Sequence, residues 1–222
     1  MRTEKPAIIL YFIACAVAVF ATIIKSETLL IISKPIVIPA ILFYYLSVKK
    51  GKFNIWYGIF LMLTFIGDTV VLLELKGATI YIILPYLLSY LILLSFIIRD
   101  NADLRFSKSG LVVGLFVFGL IFGSGFALIS FFDPQHRPLE LPVTIYGFIL
   151  ALQASLSTYH IHMSNSNMSF YMAMTALFNC VSDIFFVIFM LIIPTPEFLP
   201  LDIALQIFSY YFVIKYFIYR KN

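Results

Sequence analysis

The chain has 222 residues, 62% of them hydrophobic and only 12% charged, with a net charge of +4. Soluble domains carry about twice that charged fraction, so a water-soluble globule is excluded, and most of the apolar surface has to face hydrocarbon. The basic excess lies between apolar runs, without interleaved aromatics, so it reports on membrane orientation rather than on a nucleic-acid partner.

Apolar runs punctuated by polar clusters predict an all-α, polytopic integral membrane bundle of eight transmembrane helices. They fall at 7–24, 29–48, 54–75, 77–98, 109–131, 139–159, 169–193 and 198–219. The first follows a signal-like Met1 to Lys5, but the run Ala7 to Ile24 is long for an h-region and no small-x-small site follows. An uncleaved span is expected. The second span carries Lys34, Pro35 and Pro39, and the third carries Asp68. A tight hairpin at Glu74 to Gly77 leads into the fourth, with Pro85, Tyr86, Ser89 and Tyr90. Gly119, Gly123 and Gly125 mark the fifth. Pro138 precedes the sixth, which holds Tyr146, Gln153 and Ser155. Asn179 and Asp183 lie in the seventh, which ends at Pro194, and Gln206 and Tyr210 lie in the eighth. The spans consume the chain, so residues 1–222 form a single transmembrane domain. Thr64-Phe65-Ile66-Gly67-Asp68 and Asn179-Cys180-Val181-Ser182-Asp183 both read polar-x-x-small-Asp, the trace that a four-plus-four internal repeat would leave.

Orientation follows from the loops. Arg2, Lys5, Lys49, Lys50, Lys52, Arg99, Arg105, Lys108, Arg220 and Lys221 share the side of the N-terminus. The other side has Lys25, Lys76 and Arg137, with Lys34 just inside a span. The bias puts both termini in the cytoplasm, which an even span count permits.

Asp68 and Asp183 read as the acids deep inside spans; the others fall at ends or in loops. An intramembrane Asp is unfavourable by about 2.5–3.5 kcal/mol on insertion scales, so it needs a compensating role. Each has a polar residue one turn earlier, Thr64 and Asn179, on the same helix face. Lys34 lies at comparable depth, and the three are expected to meet in one cavity, although a lysine near a span end also snorkels readily. Gln and Ser in spans read as interhelical glue and tyrosines near span ends as interface anchors. Cys15 and Cys180 lie in apolar runs and read as small hydrophobes. His136, His160 and His162 fall in loops without further ligands, so neither a metal nor a cofactor is expected.

Lys34-Pro35, Gly67-Asp68, Leu141-Pro142-Val143 with Tyr146, Ser182-Asp183 and Gln206 occur in an order and spacing that resemble the YhhN-like family, whose characterised animal members are lysoplasmalogenases. The fourth span departs from the pattern, with Tyr86, Ser89 and Tyr90 where members often carry a histidine. The resemblance implies an eight-span membrane hydrolase of the plasma membrane, the inner membrane in a bacterium. It would cleave the vinyl ether bond of a lysophospholipid, or act on another amphiphilic small molecule, and release a fatty aldehyde. Asp68 and Asp183 would be the catalytic carboxyls; Lys34, Asn179, Tyr146 and Gln206 would bind substrate. Two carboxyls suit the chemistry. Carbon protonation needs an acid that is neutral near pH 7, which an apolar surrounding favours. A second carboxylate can then stabilise the cation and activate water, as in glycosidases. The same intramembrane acids and lysine also describe a proton-coupled transporter, and a lipid-binding membrane protein is the third class.

The topology has a direct check. Cysteines introduced at positions 2 and 221 are expected to be labelled from the same side of the membrane; labelling from opposite sides would end the even-span reading.

Overall fold

The structure, a computed structural model, describes residues 4–49, 53–73, 79–193 and 195–220. Eight helices are long and apolar enough to cross a membrane. They are α1 (Glu4–Ile23), α2 (Glu27–Val48), α3 (Ile55–Leu72), α4 (Thr79–Ala102), α5 (Lys108–Ile129), α6 (Glu140–Met163), α7 (Asn167–Val187) and α8 (Leu199–Tyr219). Among the described residues there is no strand. Short 3-10 turns at Pro134–Leu139 and Pro196–Phe198 lead into α6 and α8, and α7 runs on into a π-helical stretch, Ile188–Ile192. The hairpin expected at Glu74 to Gly77 and the stop at Pro194 lie outside the described residues.

The starts of the helices are written in the sequence. Ser26, Asn54, Ser107 and Ser166 each cap a helix by accepting a backbone N–H with the side chain. Pro35 and Pro39 inside α2 and Pro85 inside α4 do not end their helices, because bundle neighbours can support the freed carbonyls. The fourth and sixth helices extend about four residues beyond their apolar runs. Hydropathy marks the hydrocarbon thickness, whereas a helix continues through the interface. His160 and His162 therefore sit in the last turn of α6 rather than in a loop.

The helices pack as hairpins, α1 with α2, α3 with α4, α5 with α6 and α7 with α8. One apolar cluster, around Tyr11, Ile41, Tyr57, Phe60, Ile97, Met172 and Ile214, joins α1, α2, α3, α4, α7 and α8. A second, around Ile82, Tyr90, Val143, Leu150 and Cys180, joins α4, α6 and α7. Helices α4 and α7 belong to both. Both cysteines are buried and unbonded, as small hydrophobes would be. Helix α5 is the peripheral one: its only buried residues are Gly110 and Gly114, and a Cβ there would come within 3.0 Å of Tyr159 and 3.2 Å of Ser155 on α6. Small residues bring the two backbones together where no hydrophobic effect drives association.

At the end of the bundle where the chain enters α1, α4 and α8 are latched. Asp100 accepts hydrogen bonds from Tyr216 and, at 2.9 Å on both oxygens, from Arg220 Nε, while Arg220 also stacks over Phe96. Asp100→Ala removes the shared acceptor and leaves two donors without it. It is expected to lower stability by about 1.5–3 kcal/mol, measured as a shift in denaturation by a harsh detergent. Arg220→Lys, which lacks the fork, should fall in between.

Candidate active site

Six helices bring their functional side chains to the opposite end of the bundle: the beginnings of α2, α4, α6 and α8 and the ends of α3 and α7. A cavity of about 480 Å³ lies between them. Its mouth is marked by Glu27, Leu73, Thr79 and Leu199, and its depth by Lys34, Tyr86, Tyr146, Asp183, Asp202 and Gln206. Apolar side chains such as Leu30, Ile83, Phe186 and Met190 make up most of the wall. The volume falls within the usual range for a small-molecule site, about 300–1,000 Å³, and the few convergent polar groups fit that description too.

Two carboxylate centres organise the polar groups. Lys34, only 6% exposed, turns inward rather than snorkelling, and its Nζ is 3.2 Å from Asp68 Oδ1. Tyr86 donates to the same oxygen at 2.7 Å and Tyr210 to Oδ2 at 2.9 Å. Gln206 Nε2 donates in turn to the Tyr86 hydroxyl at 3.0 Å. Three donors thus converge on the two Asp68 oxygens. The second centre is Asp183, whose Oδ2 accepts from Tyr90 at 2.9 Å; Tyr146 packs on Tyr90 with ring centroids 5.4 Å apart. Tyr86 and Tyr90 are one turn apart on one face of α4. A single helix thus holds the acids of α3 and α7. Gln153 ties α6 to the same turn by donating to the Tyr90 carbonyl at 2.7 Å.

Lys34, Tyr146, Asp183 and Gln206 share the cavity wall. Asp68 does not line it; it stands behind Lys34 and Tyr86, which do. Asn179 is buried at 4% exposure and is not part of the wall, and its Nδ2 has no hydrogen-bond partner. Thr64 does not assist Asp68, because its hydroxyl bonds back to the Phe60 carbonyl of its own helix. The four tyrosines Tyr86, Tyr90, Tyr146 and Tyr210 are buried parts of the site, not interface anchors.

Asp202 is the residue the sequence reading passed over. It sits in the first turn of α8, where an acid usually serves the helix N-terminus in solvent. Here it is 5% exposed, accepts from Ser182 at 2.6 Å and lines the cavity beside Asp183. The available signal was its setting, Phe198-Leu199-Pro200-Leu201 before it and Ile203 after, an acid with no polar neighbour to keep it wet.

Gly67 makes the Asp68 centre possible. A Cβ there would meet the Tyr86 ring at 2.9 Å, so only glycine lets that ring lie across α3 and reach the next residue. Gly67→Ala is expected to destabilise by about 1–3 kcal/mol through overpacking. In a Tyr86→Leu background the added methyl has room, and the penalty should shrink. Equal penalties in the two backgrounds would show that the ring is not what Gly67 accommodates.

Comparison with known sequences gives one match. The model of the YhhN family matches residues 29–221, and the chain belongs to that family. No curated protein and no solved structure matches.

Proposed function

We propose that this member of the YhhN family is a membrane hydrolase that cleaves the vinyl ether bond of a lysophospholipid, giving a fatty aldehyde and a glycerophospho-alcohol. The observation that carries the reading is the amphipathic cavity inside the bundle, which puts Lys34 and the carboxyls of Asp183 and Asp202 among apolar walls, with Glu27 at the mouth. An amphiphile with an anionic head and a hydrocarbon chain is the ligand that such a wall complements.

Vinyl ethers hydrolyse by slow proton transfer to carbon. A carboxyl donates its proton to the second carbon of the chain, and the electron pair of the double bond forms the new C–H bond. The first carbon becomes an oxocarbenium ion. Water adds to it while a second carboxylate takes the water proton, and the hemiacetal collapses to aldehyde and alcohol as its hydroxyl proton passes to the carboxylate left by the first step and the proton taken from water is delivered to the departing oxygen. We assign the donor to Asp183, whose carboxyl borders the apolar side chains Phe186, Val187 and Met190 of the wall, and the base to Asp202 beside it, in the first turn of α8. Carboxyls with distinct surroundings divide acid and base roles in this way. Lys34 spends one of its three N–H donors on Asp68 and keeps others for a phosphate. Asp68 is then a positioning residue: it fixes Lys34 and Tyr86 without touching substrate.

One observation favours the proton-coupled carrier instead. Helix α7 turns π-helical at Ile188–Ile192, just beyond Asp183, and transporters commonly break helices beside their sites.

The test uses purified protein with a 1-alkenyl lysophospholipid, and the saturated ether analogue as the control that cannot be protonated on carbon. Asp183→Asn keeps the volume but cannot donate a carboxyl proton, and kcat is expected to fall about 10²–10⁴-fold. Asp202→Asn should fall similarly, and the double variant little further, because residues that act as a unit are not additive. Asp68→Asn and Lys34→Met should raise KM more than they lower kcat. Full turnover in Asp183→Asn would sink the mechanism. Proton-coupled uptake into vesicles without product would establish the carrier.

A further inference from the structure

A second, narrower pocket lies between α5, α6 and α7. It measures about 50 Å³ against about 480 Å³ for the main cavity. Its wall is almost wholly apolar, with Ile121, Phe122 and Phe126 of α5 facing Leu150 of α6 and Ile184 of α7. Thr144, Tyr146 and Asp183 are the exceptions, and Asp183, with Tyr146, Val143 and Val187, belongs to the wall of the main cavity as well. The two spaces therefore abut at the carboxyl assigned as proton donor.

We propose that this pocket is a side portal that holds the single hydrocarbon chain of the substrate while its phosphate-bearing head occupies the main cavity. The inference rests on the lipid reading above and adds where each half of the lipid lies. Three observations carry it. The reacting carbons of an alkenyl lysolipid are the first two of its chain, so the acid that protonates them belongs where head and chain meet, and Asp183 stands at that boundary. Next, α5 and α6 are clamped at one end by Gly110 and Gly114 and have room at the other. Gly125 on α5 and Gly147 on α6 line the portal, and a Cβ at either would meet nothing within 4 Å. Finally, α5 is the helix most open to the bilayer, so a gap on its flank leads to hydrocarbon rather than to water. A space of about 50 Å³ excludes the head. A lipid thus enters sideways, and its tail never leaves an apolar medium.

The experiment is photo-crosslinking with a lysophosphatidylcholine whose acyl chain ends in a diazirine. Its ester linkage keeps vinyl ether chemistry out of the measurement. Label is expected on α5, α6 and α7 around Phe122, Phe126 and Ile184, displaced by excess unlabelled lysolipid. Gly147→Phe from one wall, and Gly125→Leu from the other, should each lower the displaceable label at least tenfold. Displaceable label on the main-cavity residues Leu72 and Phe186, unchanged in both variants, would overturn the portal. So would portal label that excess lysolipid does not displace, since that is annular lipid. Where the alkenyl lipid is turned over, Gly147→Phe should also raise the ratio of kcat/KM for short over long chains at least tenfold. A displaceable portal label in a protein that hydrolyses nothing would uphold the portal and defeat the reaction.

Discussion

A buried charge in a bilayer has to be answered by other side chains, and the Lys34–Asp68 pair with its two tyrosines is the answer around which this bundle is arranged. The carboxylate on α3 draws a cation from α2 and hydroxyls from α4 and α8. Four helices are thereby fixed in rotation as well as in distance, because each partner must point inward at one depth. Burying an ion pair is weak evidence for stability. Its value here is geometric: it holds an ammonium in the wall of a cavity whose other sides are hydrocarbon.

Helix α4 carries that order across the site. With Tyr86 on Asp68 and Tyr90 on Asp183, one turn of helix sets the relation between the charged centre and the carboxyl that lines the cavity. The two acids look equivalent by residue type and depth and differ in surroundings. Asp68 is saturated with donors and screened from the cavity, whereas Asp183 and Asp202 each have one donor distance below 3 Å and stand in its wall. On the proposed reaction, this division would separate the acid that holds Lys34 from the acids that react.

Much of the fold was legible because lipid imposes a simple rule: long apolar runs must be helices, so the eight spans follow from hydropathy within a few residues. Lys34, Asp68 and Asp183 were legible for the complementary reason, since charge in such a run is conspicuous. What was not legible depended on side-chain direction. Asp202 looked like an ordinary helix-start acid, because one sequence does not say that the end of α8 is roofed by its neighbours. Tyr86, Tyr90, Tyr146 and Tyr210 looked like anchors, because distance from a span end is visible in a sequence and rotation about the helix axis is not. The separation of Asp68 from the cavity by the Tyr86 ring follows from Gly67, whose missing side chain signals close approach without naming what approaches.

That contact between Gly67 and the Tyr86 ring also constrains how the chain can drift over generations. A larger residue at 67 clashes while the ring is in place, whereas a smaller residue at 86 merely leaves space. Change therefore has a permitted order, the ring shrinking first and the glycine filling in afterwards. Along the way Asp68 loses one of its donors and Gln206 the hydroxyl it binds. A lineage that crosses that gap arrives with a differently wired lysine, so the residue at 67 is tied to the residue at 86.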